Sequence, residues 1–222
     1  MINMRCEGLV DSLNEHCYHI LGCGAIGSSA ALQIARTGGE DFVLYDFDKV
    51  AIENIGVSQY DTNDIGSHKT TALKSKLLDL NPHINVTTVD QRVSTIMYMD
   101  QKDIIILGFD NMASRKEIVD NIMKNKYTNP YLLIDGRMGA EHYQQYSYVG
   151  RKELQSYNDS WYSDEDGDSE PCNKKATSYC SNMAGAFIVN TIRKVLTNSP
   201  HETELTFNFP LMSLTKNTYF PK

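Results

Sequence analysis

The hydrophobic positions of the first 135 residues follow two alternating patterns. Short, nearly continuous apolar runs are typical of strands that are buried on both faces of a parallel sheet. We expect such strands at 16–21, 42–45, 104–107 and 131–134, and an alternating strand at 85–89. Between them, apolar residues recur at the three- and four-residue spacing of amphipathic helices. These helices are expected at 26–36, 69–80 and 111–124.

Strands that alternate with helices predict an α/β fold. Each helix can cross over from one parallel strand to the next, as it does in a doubly wound sheet. The expected fold is therefore a Rossmann-like, mostly parallel sheet, followed by an antiparallel extension near the C-terminus.

The pattern changes after residue 135. Residues 139–149 alternate aromatic and polar side chains, which indicates an extended segment. Residues 153–175 are polar and acidic with almost no apolar side chains, and this predicts an exposed, mobile loop. Helical spacing returns over 177–196, and residues 204–209 predict a final edge strand.

The composition argues against several classes of protein. The 222 residues carry a formal net charge of −7 and the pI is about 5.3, which argues against a nucleic-acid partner. No apolar run approaches the ~20 residues that span a bilayer. The first 13 residues lack the basic start and apolar core of a signal peptide. The five cysteines are odd in number and contain no zinc-type pairs, so we expect a reduced, cytoplasmic protein without a structural zinc or a membrane contact.

A glycine loop with the sequence Gly-Cys-Gly-Ala-Ile-Gly joins the first predicted strand to the first predicted helix. Glycines there let the backbone approach a pyrophosphate, and the helix N-terminus favours negative charge. A tight strand–helix turn is the alternative explanation. The loop residues expected to contact a nucleotide are Gly22, Gly24, Ala25, Ile26 and Gly27. Asp46, at the end of the second strand, lies where an acid can accept hydrogen bonds from ribose hydroxyls.

Further polar residues go beyond the needs of a dehydrogenase and match a known family. The matching motifs are the glycine loop, Asp46-Phe47-Asp48-Lys49-Val50, Asn54, Asp64-Ile65-Gly66 with Lys69, Leu80-Asn81-Pro82, and Asp110-Asn111 with Arg115. With these motifs the chain resembles the adenylyltransferases of the ThiF, MoeB and HesA group, which includes ubiquitin-activating enzymes. The match covers residues 16–135 and continues more loosely to Ala184-Gly185.

The resemblance implies a role for each matched position. Asp46 and Asp48 would hold the ribose side of ATP, Asn54 and Lys69 would contact the phosphates, and Asp110 would hold Mg²⁺. Gln59 and Asn111 would complete the nucleotide site. A lysine and a metal ion suit this chemistry because negative charge develops as pyrophosphate leaves the α-phosphate. The alternatives are a solvated helix lysine for Lys69 and a helix N-cap for Asp110.

The resemblance also implies a single adenylation domain over residues 1–222. Residues 1–135 would form its nucleotide-binding core. Residues 136–222 would supply the antiparallel strands, a mobile crossover loop at about 151–175 and the late helix.

One motif departs from the family pattern. Relatives read Asn-Leu-Asn-Arg-Gln where this chain has Asn-Ile-Gly-Val-Ser-Gln over residues 54–59, so a phosphate-contacting arginine is missing. Family dimers bring an N-terminal arginine of the partner chain to the ATP site. Arg5 is the candidate for that residue, and we expect a homodimer. The alternatives are a frayed N-terminus for Arg5 and reduced activity for the chain.

Two late cysteines are candidates to accept the activated carboxylate as a thioester. Cys172 lies in a segment similar to the crossover loop that carries the reactive cysteine of relatives. Lys174, Lys175 and the following helix start would lower its pKa. Cys180, inside the late helix, is the second candidate. Adenylation without any catalytic thiol is the third possibility.

Two residues outside these motifs have more than one interpretation. Arg137 could steer a carboxylate or an acidic partner surface, or it could form a structural ion pair. Trp161, in an acidic segment, suits either a partner contact or a cover over the sheet.

The expected function is ATP-dependent adenylation of the C-terminal carboxylate of a ubiquitin-like or sulfur-carrier protein that ends in glycine. Three alternatives remain. The substrate could be a peptide or a small molecule. The chain could be a non-catalytic partner of an active homologue, which the missing arginine favours. An NAD-dependent oxidoreductase fits the glycine loop but not Lys69 and Asp110.

Overall fold

The parallel part of the fold is built as the hydrophobic pattern predicts. The computed structural model describes residues 13–96, 99, 101–165 and 176–221. The strands are β1 (Cys17–Leu21), β2 (Asp41–Tyr45), β3 (Asn85–Val89), β4 (Asp103–Leu107), β5 (Leu132–Gly139), β6 (His142–Val149), β7 (His201–Asn208) and β8 (Ser213–Tyr219). They form one sheet in the order β3-β2-β1-β4-β5-β6-β7-β8. The first five are parallel and the last three antiparallel, so the predicted fold class is confirmed.

Helices cover both faces of the sheet. They are α1 (Ala25–Thr37), α2 (Ile52–Ile55), α3 (Lys69–Leu80), α4 (Met112–Lys124), α5 (Gly150–Leu154), α6 (Tyr157–Ser160) and α7 (Ser178–Leu196). The helices α1, α3 and α7 pack on one face, while α4, α5 and α6 pack on the other. No helix within the described segments combines the length and apolar character needed to cross a bilayer.

Burial on both faces explains the continuous apolar runs of the central strands. In β4, Ile104 and Ile106 point into the core beneath α1, α3 and α7, whereas Ile105 and Leu107 point into the core beneath α4. All four side chains are fully buried. A strand with solvent on one face would need only every second residue to be apolar.

The C-terminal extension differs from its prediction in one respect. The strand expected at 204–209 is β7, but it is not the edge of the sheet, because β8 pairs with it on the outer side. The sequence of β8 has no hydrophobic pattern that predicts a strand, because six of its seven residues are exposed and none is buried. Strand β8 is specified by its hairpin partner.

The segment expected as a mobile crossover loop at about 151–175 begins with ordered structure. Arg151 donates hydrogen bonds to the carbonyls of Ile122, Asn125 and Thr128, each at 3.0 Å, and thereby fixes α5 to the end of α4. The Trp161 indole donates to the Met112 carbonyl at 3.1 Å, so this tryptophan covers the start of α4. Residues 166–175 lie outside the described chain.

A buried carboxylate at the end of β5 holds two arginines. Asp135 is fully buried and pairs with Arg115 on one oxygen and with Arg137 on the other, the latter at 2.7 Å. The Tyr157 hydroxyl also donates to it at 3.0 Å. Arg137 is 4% exposed and lies over the Tyr146 ring, 4.4 Å from its centroid. The structure therefore assigns Arg137 to the structural ion pair.

Replacing Asp135 by alanine should destabilise the fold strongly. Two buried guanidinium groups would lose their shared anion, and breaking such a pair costs about 3–5 kcal/mol. Urea unfolding would measure this loss. The control is Asp120→Ala, which removes a partly exposed pair with Lys116 on α4 and should cost less than about 1 kcal/mol. Equal losses in both variants would contradict the assigned role of Asp135.

Candidate functional site

The candidate site lies where the strand order reverses, between β1 and β4. In open parallel sheets, ligands bind in the crevice at the carboxyl ends of such strands. The chain leaves β1 at Gly22, whose N–H donates to the Tyr45 carbonyl at 2.8 Å. It leaves β4 at Gly108, whose N–H donates to the Leu21 carbonyl, also at 2.8 Å. Two loops therefore start side by side at this edge.

These loops are in backbone contact and leave no room for side chains. Gly22 has φ +91°, and a Cβ there would lie 2.8 Å from the Gly108 carbonyl group. A Cβ on Gly27 would lie 1.9 Å from the Gly22 oxygen. Glycine is thus required at positions 22 and 27 by close backbone packing. This agrees with the tight strand–helix turn, the alternative explanation of the glycine loop.

The first turn of α1 is nevertheless open to an anion. Gly24 is the N-cap of this 13-residue helix, and no side chain caps it. A Cβ at Gly24 would meet nothing within 4 Å, and Gly24 and Ala25 are only half-buried. The N–H groups of a first turn have no partner within their helix. The geometry fits a phosphate group at this end of α1.

Asp46 is held beside the loop by two backbone donors. Its Oδ2 accepts from the Cys23 N–H and its Oδ1 from the Asp48 N–H, both at 2.8 Å. Burial raises the pKa of Asp46, an effect that the Lys69 charge and these two hydrogen bonds only partly offset. Each carboxylate oxygen has a second lone pair, so Asp46 retains the capacity to accept from ribose hydroxyls.

Lys69 is not a solvated helix lysine. It is 8% exposed, and its Nζ donates to Asp48 Oδ2 at 2.8 Å. Burial acts to lower the pKa of Lys69, but the Asp48 hydrogen bond and the charges of Asp46, Asp48 and Asp110 outweigh burial and raise it. The ammonium group is thus hydrogen-bonded to Asp48 and interacts electrostatically with Asp46 and Asp110, three carboxylates from separate sequence motifs.

Asn111, and not Asp110, caps the N-terminus of α4. Asn111 is the N-cap of α4, and its Oδ1 accepts from the Ser114 N–H at 2.8 Å. Its Nδ2 donates to Asp110 Oδ1 at 3.0 Å. Asp110 itself is exposed and is not the cap. Its carboxylate is therefore accessible to solvent and is not used to cap α4.

Asn54 and Gln59 are engaged by the protein itself. Asn54 Oδ1 accepts from the Ala51 N–H at 2.9 Å, and Gln59 Nε2 donates to Asn182 on α7 at 3.0 Å. Among the described residues, Arg115 and Arg137 cannot replace the missing arginine, because Asp135 holds both. Arg5 lies outside the described chain.

Sequence reasoning missed two residues that shape the site. The buried Tyr60 donates to the Cys23 carbonyl at 2.5 Å and to the Lys69 carbonyl at 3.2 Å, which ties the glycine loop to α3. Asp164 Oδ1 accepts from the Met112 N–H at 2.6 Å, at the N-terminus of α4 beside Asp110. The sequence could not predict this contact, because Asp164 is one of several acidic residues in a polar segment and lies far from Met112 along the chain.

Of the two candidate cysteines, Cys180 and Cys172, only Cys180 lies within the described residues. Cys180 is fully buried in α7, and burial, with a smaller effect of Glu141, raises its pKa to about 11. A buried thiol with so high a pKa is a poor nucleophile. Cys172 lies within 166–175, outside the described residues.

One cleft of the described chain lies away from this edge. It has a volume of about 700 Å³ and lies between β6, β7 and the short helices α5 and α6. Tyr146, Lys152, Asp159 and Glu204 are among its lining residues. None of the predicted site residues lines it.

The fold and the glycine loop define a Rossmann-like α/β protein, and comparison with known proteins gives the family. The model of the ThiF family matches residues 2–221. The chain therefore belongs to the ThiF family, and the predicted resemblance is confirmed.

Two curated relatives match parts of the chain. A probable molybdopterin-synthase adenylyltransferase of Porphyra purpurea is 33% identical over 131 residues, which are 56% of this chain and 34% of the relative. A sulfur carrier protein ThiS adenylyltransferase of Escherichia coli (strain K12) is 35% identical over 103 residues, 45% of this chain and 41% of the relative. The matched part thus spans well under half the length of each.

Solved structures share the fold. MccB of E. coli superposes with a TM-score of 0.73 at 18% identity, covering 96% of this chain and 65% of that one. Selenomethionine PaaA superposes with a TM-score of 0.71 at 19% identity, covering 95% and 66%. At this level of identity the likeness concerns the fold alone.

Two alanine substitutions in the glycine loop should separate packing from binding. Gly27→Ala should lower the free energy of unfolding by about 3 kcal/mol, because its methyl group meets the Gly22 carbonyl. Gly24→Ala should change stability by less than about 1 kcal/mol, yet weaken ATP binding, because its methyl group fills the space in front of α1. Urea unfolding and calorimetric ATP titration measure the two effects. Wild-type ATP affinity in Gly24→Ala would contradict a phosphate site there.

Proposed function

We propose that this protein activates the C-terminal carboxylate of a ubiquitin-like or sulfur-carrier protein that ends in glycine. The product is an acyl-adenylate, with ATP consumed and pyrophosphate released. The observation that carries the proposal is the buried Lys69 among Asp46, Asp48 and Asp110, beside the open first turn of α1. A dehydrogenase has no use for this cluster. Relatives named as molybdopterin-synthase and ThiS adenylyltransferases support the carrier substrate.

Each group has a definite task in the reaction. The N–H groups at Gly24–Gly27 bind phosphate oxygens, and Asp46 orients the ribose. The Lys69 ammonium has three donors, so it can keep its bond to Asp48 while it donates to a phosphate. As the substrate carboxylate attacks the α-phosphorus, the bond to pyrophosphate breaks and negative charge grows on the leaving group. Lys69 stabilises that charge.

The residues present also fit a magnesium ion. Mg²⁺ prefers carboxylate and water oxygens and is usually bound by one or two carboxylates together with substrate phosphates. Asp110 is exposed, its charge acts to raise the pKa of Lys69, and its helix is already capped by Asn111. Asp110 would hold the ion, which when bound would neutralise phosphate charge.

A thioester on Cys172 is the proposed next step. The sequence around Cys172, with Lys174 and Lys175 two and three residues further on, supports this step. The Cys172 thiolate would attack the carbonyl carbon of the acyl-adenylate, so that the thioester bond forms and AMP leaves.

A homodimer is part of the same proposal. Arg115 and Arg137 do not supply the cation missing from residues 54–59, because Asp135 holds both, and Arg5 of a second copy would supply it. The missing arginine also supports a second candidate function, in which the chain is a non-catalytic subunit that pairs with an active homologue.

The deciding experiment is ATP–pyrophosphate exchange with purified carrier proteins. Exchange that depends on a carrier with a terminal glycine, and is lost when that glycine is removed, is the expected result. Exchange with a short peptide alone would select a peptide substrate. ATP binding without exchange for any carrier would favour the non-catalytic subunit.

Lys69→Met should lower pyrophosphate exchange by on the order of 100-fold. Methionine keeps much of the buried stem, so stability should fall by only about 1 kcal/mol through loss of the half-exposed Asp48 pair. Lys76→Met is the matched control, because Lys76 lies on the same helix and pairs with Asp61 and Asp64 at 2.8 Å. Equal exchange rates in the two variants would rule out the phosphate role of Lys69.

Asp110→Asn should raise the magnesium concentration needed for half-maximal exchange. The amide is close in shape but has no charge for the ion. Asp120→Asn, further along α4, should leave the titration unchanged. An identical magnesium titration for Asp110→Asn and wild type would remove this residue from the metal site.

Cys172→Ala should still form adenylate but no thiol-labile conjugate with the carrier. Cys180→Ala should keep the conjugate, because Cys180 is buried with its pKa raised to about 11. Gel analysis with and without reductant distinguishes the two. A conjugate lost only in Cys180→Ala would reverse the assignment, and no conjugate in the wild type would leave adenylation alone.

A further inference from the structure

Three potential metal ligands meet at the edge of the sheet opposite the glycine loop. Cys17 begins β1 and pairs in register with Asp103, which begins β4. His19, two residues along β1, points to the same face as Cys17. The Cys17 sulfur, a His19 ring nitrogen and an Asp103 carboxylate oxygen all lie within 4.8 Å of one another.

The histidine is oriented as a ligand usually is. His19 is 7% exposed, and its Nδ1 is 3.0 Å from the Tyr45 hydroxyl. The two rings stack with their centroids 5.9 Å apart. This leaves Nε2 facing Asp103, 3.7 Å from Oδ1. A histidine ligand typically has its second ring nitrogen fixed by a neighbouring polar group, and Tyr45 is placed to do this.

We propose that Cys17, His19 and Asp103 form a binding site for a divalent transition-metal ion, best matched by Zn²⁺. Thiolate, imidazole and carboxylate are the three side-chain ligand types of zinc. Bond lengths of about 2.0–2.3 Å require ligand atoms about 3–4 Å apart, so small side-chain movements close the site. Cys17 and Asp103 are half-buried, which leaves an entry path and a place for water as the fourth ligand.

This site is independent of the proposed magnesium site. It lies at the start of β1, about 13 Å from Leu21 at the other end of the strand. A thiol and an imidazole are poor ligands for magnesium, which prefers oxygen. Bound zinc would join β1 to β4, the two central strands, and would stabilise the folded chain by mass action. The sequence contains no motif for this site, because its ligands come from two strands that are far apart along the chain.

Cobalt(II) titration of the full chain tests the site directly. The protein is reduced and stripped of metal, and ATP and magnesium are left out. We expect one cobalt ion per chain, a thiolate-to-cobalt absorption band, displacement of cobalt by zinc, and a zinc-dependent rise in Tm. Cys17→Ser should abolish the band. Asp103→Asn and Tyr45→Phe should weaken zinc binding by about 10- to 100-fold.

Two variants serve as controls and should bind metal as the wild type does. Cys172→Ser tests a thiol from another part of the chain. His16→Gln tests the neighbouring histidine, whose Nδ1 lies 2.9 Å from the Lys102 carbonyl instead. The proposal is overturned if the wild type binds neither metal, if the band survives Cys17→Ser, or if Asp103→Asn keeps wild-type affinity. Asp103→Asn preserves shape, and an unchanged Tm without metal shows that it folds.

Discussion

The backbone contact among the segments that follow β1 and β4 is the constraint on which the crevice depends. Gly22, Gly27 and Gly108 approach so closely that a Cβ on any of them would meet backbone atoms at 3.0 Å or less. This packing lets α1 begin directly at the edge of the sheet, with its first turn facing the crevice. Tyr60 then fixes the loop to the start of α3. The site is therefore preorganised by the fold.

Charge is distributed unequally along the same edge of the sheet. The carboxylates after β2 and β4 interact with one buried cation, Lys69, and therefore keep an excess of negative charge. The carboxylate at the end of β5, Asp135, is instead enclosed by Arg115 and Arg137. The number of cations per carboxylate thus differs between the two clusters. The candidate reactive cluster around Lys69 has more carboxylates than cations, whereas the structural cluster at Asp135 has more cations than carboxylates. It also explains why neither arginine is available to a phosphate.

Much of the fold could be read from the sequence because it depends on local patterns. Periodicity gave α3 and β3 with the bounds that the structure shows, and placed the glycine loop between β1 and α1. The family motifs fell at the ends of parallel strands, and such ends gather at one edge of a sheet. Asp46, Asp48, Lys69 and Asp110 therefore come together as their positions suggested.

The sequence by itself determined the alternation of the main strands and helices as far as β5, the glycine loop and the family. Tertiary structure alone decided the burial of Lys69, the structural role of Arg137, the existence of β8 and the ordered start of the crossover segment. It also brought Cys17 and His19 beside Asp103. The physical reason is the same in each case: these features depend on contacts between residues far apart in the chain, whereas hydrophobic periodicity and motif spacing report only on neighbours along it.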